Sequence, residues 1–442
     1  MTASSPALAI INAAIVTGDA DGSVIPDHTI IVDAHGQISR VGPSAQVEVP
    51  PGIRTIDATG KFVTPGLINA HGHFFGDGKP ISGLLTNPKL ADLAGAAFHS
   101  LVGNAIIKRK ARQNILTEMQ SGVTTVRSLG DARYEVVDIA NEIEDGKYLG
   151  PRVLASGPLL AISGGHGAPQ IALISDNPWE ARKNVRKNLA RGVGAIKIAA
   201  TGGVTDSNVI GEAGRPQMTV EEMTAICEEA HNAGLVVAAH AQSPQGVLNA
   251  LRAGVDTIEH GSSMTQEIID LYRNNPKSLR GWSAFVPTLA PVMPLVTFDG
   301  DITGLTKVRQ INSDLIYKEM LQGIKDAVAN DVVVGAGNDS AMTFVTHYDF
   351  WREMDFMVRF GGVTTTQALH FATQANARIL NLEAITGKVE KGLSADLVIV
   401  NENPLDNLST FANPQYVVVR GEVLDHPRPE HFEDVDKYVD QI

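Results

Sequence analysis

Apolar runs and amphipathic stretches alternate through the middle of the chain. Eight short apolar runs have strand character: 67–71, 124–129, 152–156, 194–199, 235–240, 256–260, 284–289 and 332–339. Helix signals lie between them, with capping boxes at Thr219 and Thr364 and an N-cap at Asn177 followed by Pro178. Strands that alternate with helices predict a parallel α/β fold, and eight of them predict a (β/α)8 TIM barrel over residues 66–382.

The two ends of the chain have a different pattern. Residues 7–65 contain short apolar segments separated by turn residues and no helical periodicity, and strand-like segments return at 395–400 and 416–423. The two patches predict one small β-sandwich domain, composed of residues 1–65 plus 383–442, with the barrel inserted between them.

Five of the predicted barrel strands end on residue types that bind metals. The pair His71 and His73 follows the first strand, and because side chains two apart on a strand share a face, both can reach one ion. Four further candidates end later strands: Lys197, His240, His260 and Asp339. Alone, a His-x-His pair is more often a loop or core feature. The whole set predicts a metal centre at the carboxyl ends of the strands, where barrel enzymes carry their active sites.

Charge and composition indicate which classes of partner the protein is expected to bind. The net charge of −13 disfavours nucleic acid and membrane surfaces, which attract basic proteins. The first lysine or arginine is Arg40, no apolar run reaches the length of a membrane span, and the single cysteine, Cys227, excludes an internal disulfide. These features predict a cytoplasmic protein that acts on a small-molecule substrate.

Several motifs resemble those of the amidohydrolase superfamily. They lie at residues 64–73, 122–127, 163–167, 197–203, 254–261 and 392–400. The order His-x-His, Lys, His, His, Asp along the chain is specific to that superfamily. The closer similarity is to the branch of Xaa-Pro dipeptidases (imidodipeptidases), ochratoxinase-like amidases and imidazolonepropionase-like proteins.

This resemblance implies a cofactor set and a ligand assignment. Two divalent ions are implied, with zinc expected. His71, His73 and Asp339 would bind one ion, and His240 and His260 would bind the other. Lys197, carboxylated by CO2, would bridge the two ions. It further implies that Asp339 moves the proton and that His166 assists catalysis by contacting the substrate carbonyl. Relatives commonly associate, so a homo-oligomer is expected.

The predicted substrate contacts are His166, Gln242, Arg127 and Asn338. The branch usually places a His or Tyr at position 242, a Thr at 338 and an acidic residue at 128, where this chain has Gln242, Asn338 and Ser128. His166 has the alternative of an ordinary loop histidine. Arg127 has the alternative of an internal salt bridge.

The function predicted from these features is hydrolysis of an amide C–N bond by a water that two metal ions activate. An N-acyl amino acid or an Xaa-Pro dipeptide is the predicted substrate. A cyclic amide, carbamate, urea or lactone is an alternative on the same scaffold. A binding protein that retains the fold without catalysis is the alternative from another functional class.

Overall fold

The computed structural model describes residues 6–80 and 100–442. Its strands, in chain order, are β1 (Pro6–Val16), β2 (Val24–Asp33), β3 (Ile38–Pro43), β4 (Arg54–Asp57), β5 (Phe62–Pro65), β6 (Leu67–Gly72), β7 (Val123–Ser128), β8 (Arg152–Ala155), β9 (Leu159–Ala161), β10 (Ala172–Ile174), β11 (Ile196–Ala199), β12 (Val237–Ala241), β13 (Thr257–His260), β14 (Ala284–Val286), β15 (Val333–Val334), β16 (Leu397–Val400), β17 (Tyr416–Val419) and β18 (Glu422–Asp425).

The helices that the structure describes are α1 (Leu101–Gln120), α2 (Glu135–Glu144), α3 (Pro178–Leu189), α4 (Val220–Asn232), α5 (Pro244–Ala253), α6 (Gln266–Arg273), α7 (Met293–Thr297), α8 (Gly300–Thr303), α9 (Lys307–Ala329), α10 (Phe350–Arg359), α11 (Thr365–His370), α12 (Asn376–Ile379) and α13 (Glu433–Val439). Short 3-10 turns cover Ser44–Gln46 and Leu408–Ala412, and a π-helical turn covers Phe371–Ala375. Within residues 6–80 and 100–442, no helix has the length and apolar composition needed to cross a bilayer.

The middle of the chain forms two parallel sheets. One has the order β6-β7-β8, and the other has the order β10-β9-β11-β12-β13-β14-β15. The eight predicted strands are all present, while β9 and β10 were not predicted. Backbone hydrogen bonds link the sheets on both sides, from Gly194 N to Ala155 O at 2.7 Å and from Ala70 N to Ala336 O at 3.0 Å. The parallel α/β prediction is confirmed.

Local sequence accounts for the helices and strands of this region. The strands β6, β7, β11, β12 and β13 are buried at every position, as expected for parallel strands covered on both faces. Asn177 accepts hydrogen bonds from the backbone of Trp179 and Glu180, and Thr219 forms a complete capping box with Glu222. The predicted helix starts at α3 and α4 are therefore correct.

Strands from both chain ends pair in one further sheet. Its order is β18-β17-β16-β5-β1-β2-β3, with β4 beside β1. Antiparallel pairing of β5 with β16 places Val63 opposite Ile399, and both are fully buried in the same apolar cluster. A second layer that would make this sheet a sandwich, and the domain boundaries next to residues 65 and 383, stay predictions.

Candidate metal centre

Five of the predicted ligands contact one another at the carboxyl ends of the parallel strands. The ring centroids of His71 and His73 are 5.4 Å apart, those of His71 and His260 are 5.2 Å apart, and those of His240 and His260 are 4.5 Å apart. The Asp339 Oδ1 atom lies 3.0 Å from His73 Nε2 and 3.3 Å from His71 Nε2. One atom each of His71, His260 and Asp339 lie within 4.8 Å of one another, close enough to share one ion.

In each of the four imidazoles, one ring nitrogen forms a hydrogen bond with a neighbouring oxygen. The pairs are His71 Nδ1 with Glu259 Oε2 at 2.8 Å, His73 Nδ1 with Gly130 O at 3.2 Å, His240 Nε2 with Gly202 O at 3.1 Å, and His260 Nδ1 with Thr288 Oγ1 at 2.7 Å. Metal-binding histidines typically engage their second nitrogen in this way, which fixes the ring orientation. The nitrogens that remain for an ion are Nε2 of His71, His73 and His260 and Nδ1 of His240.

Burial keeps these groups in the ionisation states that metal binding requires. Desolvation lowers the pKa of His73, His240 and His260, so the three rings are neutral and can act as ligands. Burial opposes ionisation of Asp339, but the neighbouring His71 and His73 outweigh it and hold the pKa of that carboxyl well below its usual range. Neutral imidazoles and a carboxylate are the donor set of zinc enzymes.

Lys197 is a buried amine without a partner. Its side chain is on β11, the residue is 3% exposed, and its Nζ has no hydrogen-bond partner among the residues that the structure describes. Burial lowers its pKa to about 8, although the carboxylates of Glu259 and Asp339 act in the opposite direction. An unpaired buried amine is costly, so a modification or a bound ligand would stabilise this position.

Two of the predicted ligands have unusual backbone conformations. His260 has a φ of 70° and Asp339 a φ of 54°, the left-handed region that residues other than glycine rarely adopt. Glu259 and His260 are consecutive in β13, yet both contact the ring of His71. The left-handed turn at His260 ends the normal alternation of strand side chains and lets two neighbours reach the same centre.

His166 and Gln242 lie beside this group. The ring of His166 stacks on that of His240, with centroids 4.0 Å apart and planes 24° apart. Gln242 follows His240 by two positions and is 8% exposed; its Oε1 atom is buried and has no hydrogen-bond partner within the described ranges. His166 is therefore in contact with the centre, while Gln242 follows His240 in the chain and has an unused hydrogen-bonding oxygen.

Arg127 and Asn338 are instead engaged inside the protein. Arg127 is 0% exposed, and its guanidinium donates to Ala70 O at 2.6 Å, to Thr257 Oγ1 at 3.1 Å and to Glu259 Oε1 at 2.9 Å. This is the internal salt bridge that the sequence offered as the alternative. Asn338, also 0% exposed, accepts a 2.8 Å hydrogen bond from Asn69 Nδ2. The amide of Asn338 therefore connects two strand ends instead of forming the predicted substrate contact.

Several residues around the centre were not predicted. Glu259 orients His71, and Asn69 connects Asn338 to Glu118 on α1. Burial raises the pKa of Glu118 to about 8, so this carboxyl is protonated at neutral pH. The available sequence signal was a polar or charged residue inside an otherwise apolar strand, as at Asn69 and Glu259. No such signal marks Glu118, which lies in a helix with many polar residues.

The comparison with protein families agrees with this geometry. A model described as the amidohydrolase family matches residues 62–424. The chain belongs to the amidohydrolase family. That match covers the parallel sheets and all six candidate ligands, and the superfamily predicted from the sequence is confirmed.

This amidohydrolase is similar to several known proteins. It is 29% identical to ochratoxinase of Aspergillus niger over 385 residues, which cover 80% of this chain and 73% of the relative. A crystal structure from Bifidobacterium longum with a provisional prolidase assignment is 44% identical, with a TM-score of 0.88, and the match covers 99% of this chain and 98% of that one. A Xaa-Pro dipeptidase crystallised with methionine in its active site is 25% identical, with a TM-score of 0.80, 95% of this chain and 99% of that one being covered.

These similarities establish the class of reaction. The predicted branch, with Xaa-Pro dipeptidases and ochratoxinase, is confirmed. The protein is a hydrolase that acts on carbon–nitrogen bonds, as predicted, and its relatives act on small molecules.

Proposed function

We propose that this amidohydrolase cleaves the amide bond of an N-acyl amino acid or an Xaa-Pro dipeptide with the help of two divalent metal ions. The observation that carries the proposal is the arrangement of four buried imidazoles, each held by one nitrogen and each with the other nitrogen available. The similarity to a Xaa-Pro dipeptidase and to ochratoxinase supports amide substrates.

The donor set fits two ions, with zinc expected. His71, His73 and Asp339 would hold one, and His240 and His260 would hold the other. The fit rests on Asp339 Oδ1, which faces Nε2 of both His71 and His73, and on Lys197 Nζ, a buried atom for which the described residues provide no hydrogen bond. When bound, the ions would lower the pKa of a water molecule toward about 7 and polarise the substrate carbonyl.

Lys197 would contribute as a carbamate. Its neutral amine nitrogen would add to the carbon of CO2, and the displaced N–H proton would pass to solvent, leaving an anionic group with two oxygens. The lowered pKa makes the neutral amine available near neutral pH. Native mass spectrometry should show a mass increase of one CO2 that is lost in Lys197→Arg. An unmodified Lys197 in fully active protein would contradict this assignment.

Asp339 would transfer the proton, and His166 would stabilise the negative charge that develops on the substrate oxygen. Asp339 is ionised, so its carboxylate can accept the proton of the attacking water and return it to the departing amine nitrogen. His166 lies against His240 at the edge of the centre, where a ring nitrogen can donate to the oxygen of the tetrahedral intermediate. Gln242 would bind a polar group of the substrate with its unpaired amide.

We further propose that the two parallel sheets are one closed (β/α)8 barrel. Hydrogen bonds between Gly194 and Ala155 and between Ala70 and Ala336 support this, because they connect the sheets on both sides. A closed barrel explains how ligands from β6, β11, β12, β13 and the end of β15 meet at one point.

One observation favours the alternative of a cyclic amide, carbamate, urea or lactone. An amino-acid product carries a carboxylate, and Arg127, the only cation among the predicted substrate contacts, is fully engaged in the interior. A substrate without a carboxylate would not need it. The non-catalytic alternative is disfavoured because all the ligand types are present and buried.

The test is amino-acid release from a panel of N-acyl-L-amino acids and Xaa-Pro dipeptides, with Zn²⁺ and bicarbonate and again with a chelator. Lactams, carbamates and lactones form the second half of the panel. We expect chelator-sensitive hydrolysis that His71→Asn abolishes and that the exposed turn variant His35→Asn retains. Hydrolysis of the second half alone, by protein that holds two metals, would replace the amino-acid substrate with the alternative.

A further inference from the structure

A carboxylate from a separate segment contacts the edge of the His166 ring. His166 lies in the connection between β9 and β10, whereas Asp206 lies in the connection between β11 and α4. Asp206 Oδ2 is paired with His166 Nδ1. None of the motifs in the sequence singled out Asp206, because an acidic residue in a polar connection has no distinguishing pattern.

The surroundings leave the His166 ring little freedom. One face stacks on His240. A Cβ atom at Gly203 would lie 2.5 Å from His166 Nδ1 and Cε1, so only glycine can occupy that position without displacing the ring. The backbone N–H of His166 donates to Gln217 Oε1 at 2.9 Å, which fixes the base of the side chain.

The Asp206 carboxylate is itself held in place. The backbone N–H of Gly167 and the guanidinium of Arg309 lie near enough to favour the charged carboxylate. Arg309 Nε in turn donates to Ser207 O at 3.3 Å, which attaches the Asp206 segment to α9. The carboxylate is therefore a fixed acceptor, although its side chain is 47% exposed at the solvent edge.

We propose that Asp206 is a positioning residue that fixes the orientation of the His166 ring, so that Nε2 faces the reacting carbonyl. The proposal rests on the proposed function, in which His166 contacts that carbonyl. A carboxylate accepts hydrogen bonds only, so Nδ1 must carry a proton in the pair, and the ring donates to the substrate oxygen from Nε2 in the imidazolium form, in which both nitrogens carry protons. A half-turn of the ring would exchange Nδ1 with Cδ2 and Nε2 with Cε1, and a carbon would then face the substrate. Asp206 prevents this half-turn because only a nitrogen can bond to it.

An ordinary exposed ion pair is the competing explanation, and such pairs contribute little. Asp176 provides a matched control. Asp176 accepts 2.6 Å hydrogen bonds from the backbone N–H and from the hydroxyl of Ser163, which lies in the same connection as His166. Asp176 does not contact the His166 ring. Asp176→Ala and Asp206→Ala therefore remove the same charge from residues that hold the same connection, but only Asp206→Ala removes a contact with the ring.

The first measurement is independent of activity. In zinc-loaded protein with ¹⁵N-labelled histidine, the His166 signals are identified by their loss in His166→Gln. At a pH where the ring is neutral, we expect Nδ1 to carry the proton in the wild type and in Asp176→Ala, and the proton to redistribute between the two nitrogens in Asp206→Ala. An unchanged His166 pattern in Asp206→Ala would overturn the proposal, whatever the panel of substrates shows.

The second measurement uses the fastest substrate of the panel. We expect Asp206→Ala to lower kcat about 10- to 100-fold, the usual effect of a residue that orients an active-site histidine, with KM changed far less. In a His166→Ala background the same substitution should have no further effect. An equal loss with or without His166, or a loss matched by Asp176→Ala, would mean that Asp206 acts on the connection and not on the ring. If the wild type hydrolyses nothing while the ¹⁵N result holds, the proposed function fails and the orientation of His166 stands.

Discussion

Glu259 Oε2 lies 2.8 Å from Nδ1 of His71, while its other oxygen accepts a 2.9 Å hydrogen bond from Arg127 Nη2. Neither the glutamate nor the arginine is exposed to solvent. Burial opposes ionisation of Glu259, but Arg127 and His71 outweigh it and hold its pKa below its usual range. One buried carboxylate thus neutralises a buried guanidinium and fixes the tautomer of a metal-type histidine.

We therefore expect Glu259→Gln to affect both stability and metal binding. Removing one charge of a buried pair leaves the other uncompensated, which costs about 3–5 kcal/mol of the free energy of unfolding. Glutamine keeps a single accepting oxygen and cannot serve both His71 and Arg127, so the weaker hold on His71 should lower metal affinity about 10- to 100-fold. Urea unfolding of metal-free protein measures the change in the free energy of unfolding. Competition with a chelator measures the change in metal affinity.

The control is Glu267→Gln, which breaks an exposed pair with Arg252. We expect it to leave metal affinity and stability unchanged. Wild-type metal affinity in Glu259→Gln would show that His71 does not need this partner.

Asp339→Asn should leave the fold intact and reduce kcat by about 10²- to 10⁴-fold, because the amide cannot accept and return a proton. The rate is to be measured at saturating metal, with the bound metal counted, since the same substitution also removes a ligand. Circular dichroism and the unfolding midpoint verify the fold. Near-normal turnover in a fully metal-loaded variant would assign the proton transfer to another group.

The raised pKa of Glu118 predicts that the free energy of unfolding depends on pH. Its pKa is about 8 in the folded protein and 4.5 ordinarily, so between these values the folded state binds a proton that the unfolded state releases. The contribution of Glu118 is therefore full below pH 4.5, is lost as pH rises through about 8, and changes by about 1.4 kcal/mol per pH unit between them.

Glu118→Gln mimics the protonated form and should remove this dependence. We expect the variant and the wild type to have similar free energies of unfolding at pH 5, and the variant to be the more stable at pH 8.5. Urea titrations of both proteins across this range measure the difference. A constant difference at all pH values would mean that Glu118 is ionised in the folded protein.

Gln242 should affect substrate binding more than turnover. Gln242→Met keeps the length of the side chain and removes its unpaired amide, so a lost hydrogen bond of about 1 kcal/mol should raise KM about fivefold. The matched control is Gln245→Met, since the Gln245 amide donates to Asn249 on the exposed face of α5. Equal KM values for all three proteins would exclude Gln242 from the substrate site.

Much of the fold and of the centre could be predicted because each rests on a local pattern. The strand with His240 is an unbroken apolar run that ends on a ligand, and its burial follows from that run. The orientations of His260 and Asp339 could not be predicted, because left-handed residues other than glycine have no sequence signal. The role of Asp206 depends on two connections that lie 40 residues apart and meet only in the folded chain.

The pairing of β5 with β16 has a consequence for synthesis. Phe62 pairs with Val400, so the two partners leave the ribosome more than three hundred residues apart. Until the later strand emerges, one edge of β5 has unpaired amide and carbonyl groups, and an exposed edge can pair with another chain. Nascent chains that stall in the interval would carry this unpaired edge. Pairing of β16 with β5 therefore completes the eight-stranded sheet only after the intervening residues have been synthesised, and it covers the exposed edge of β5.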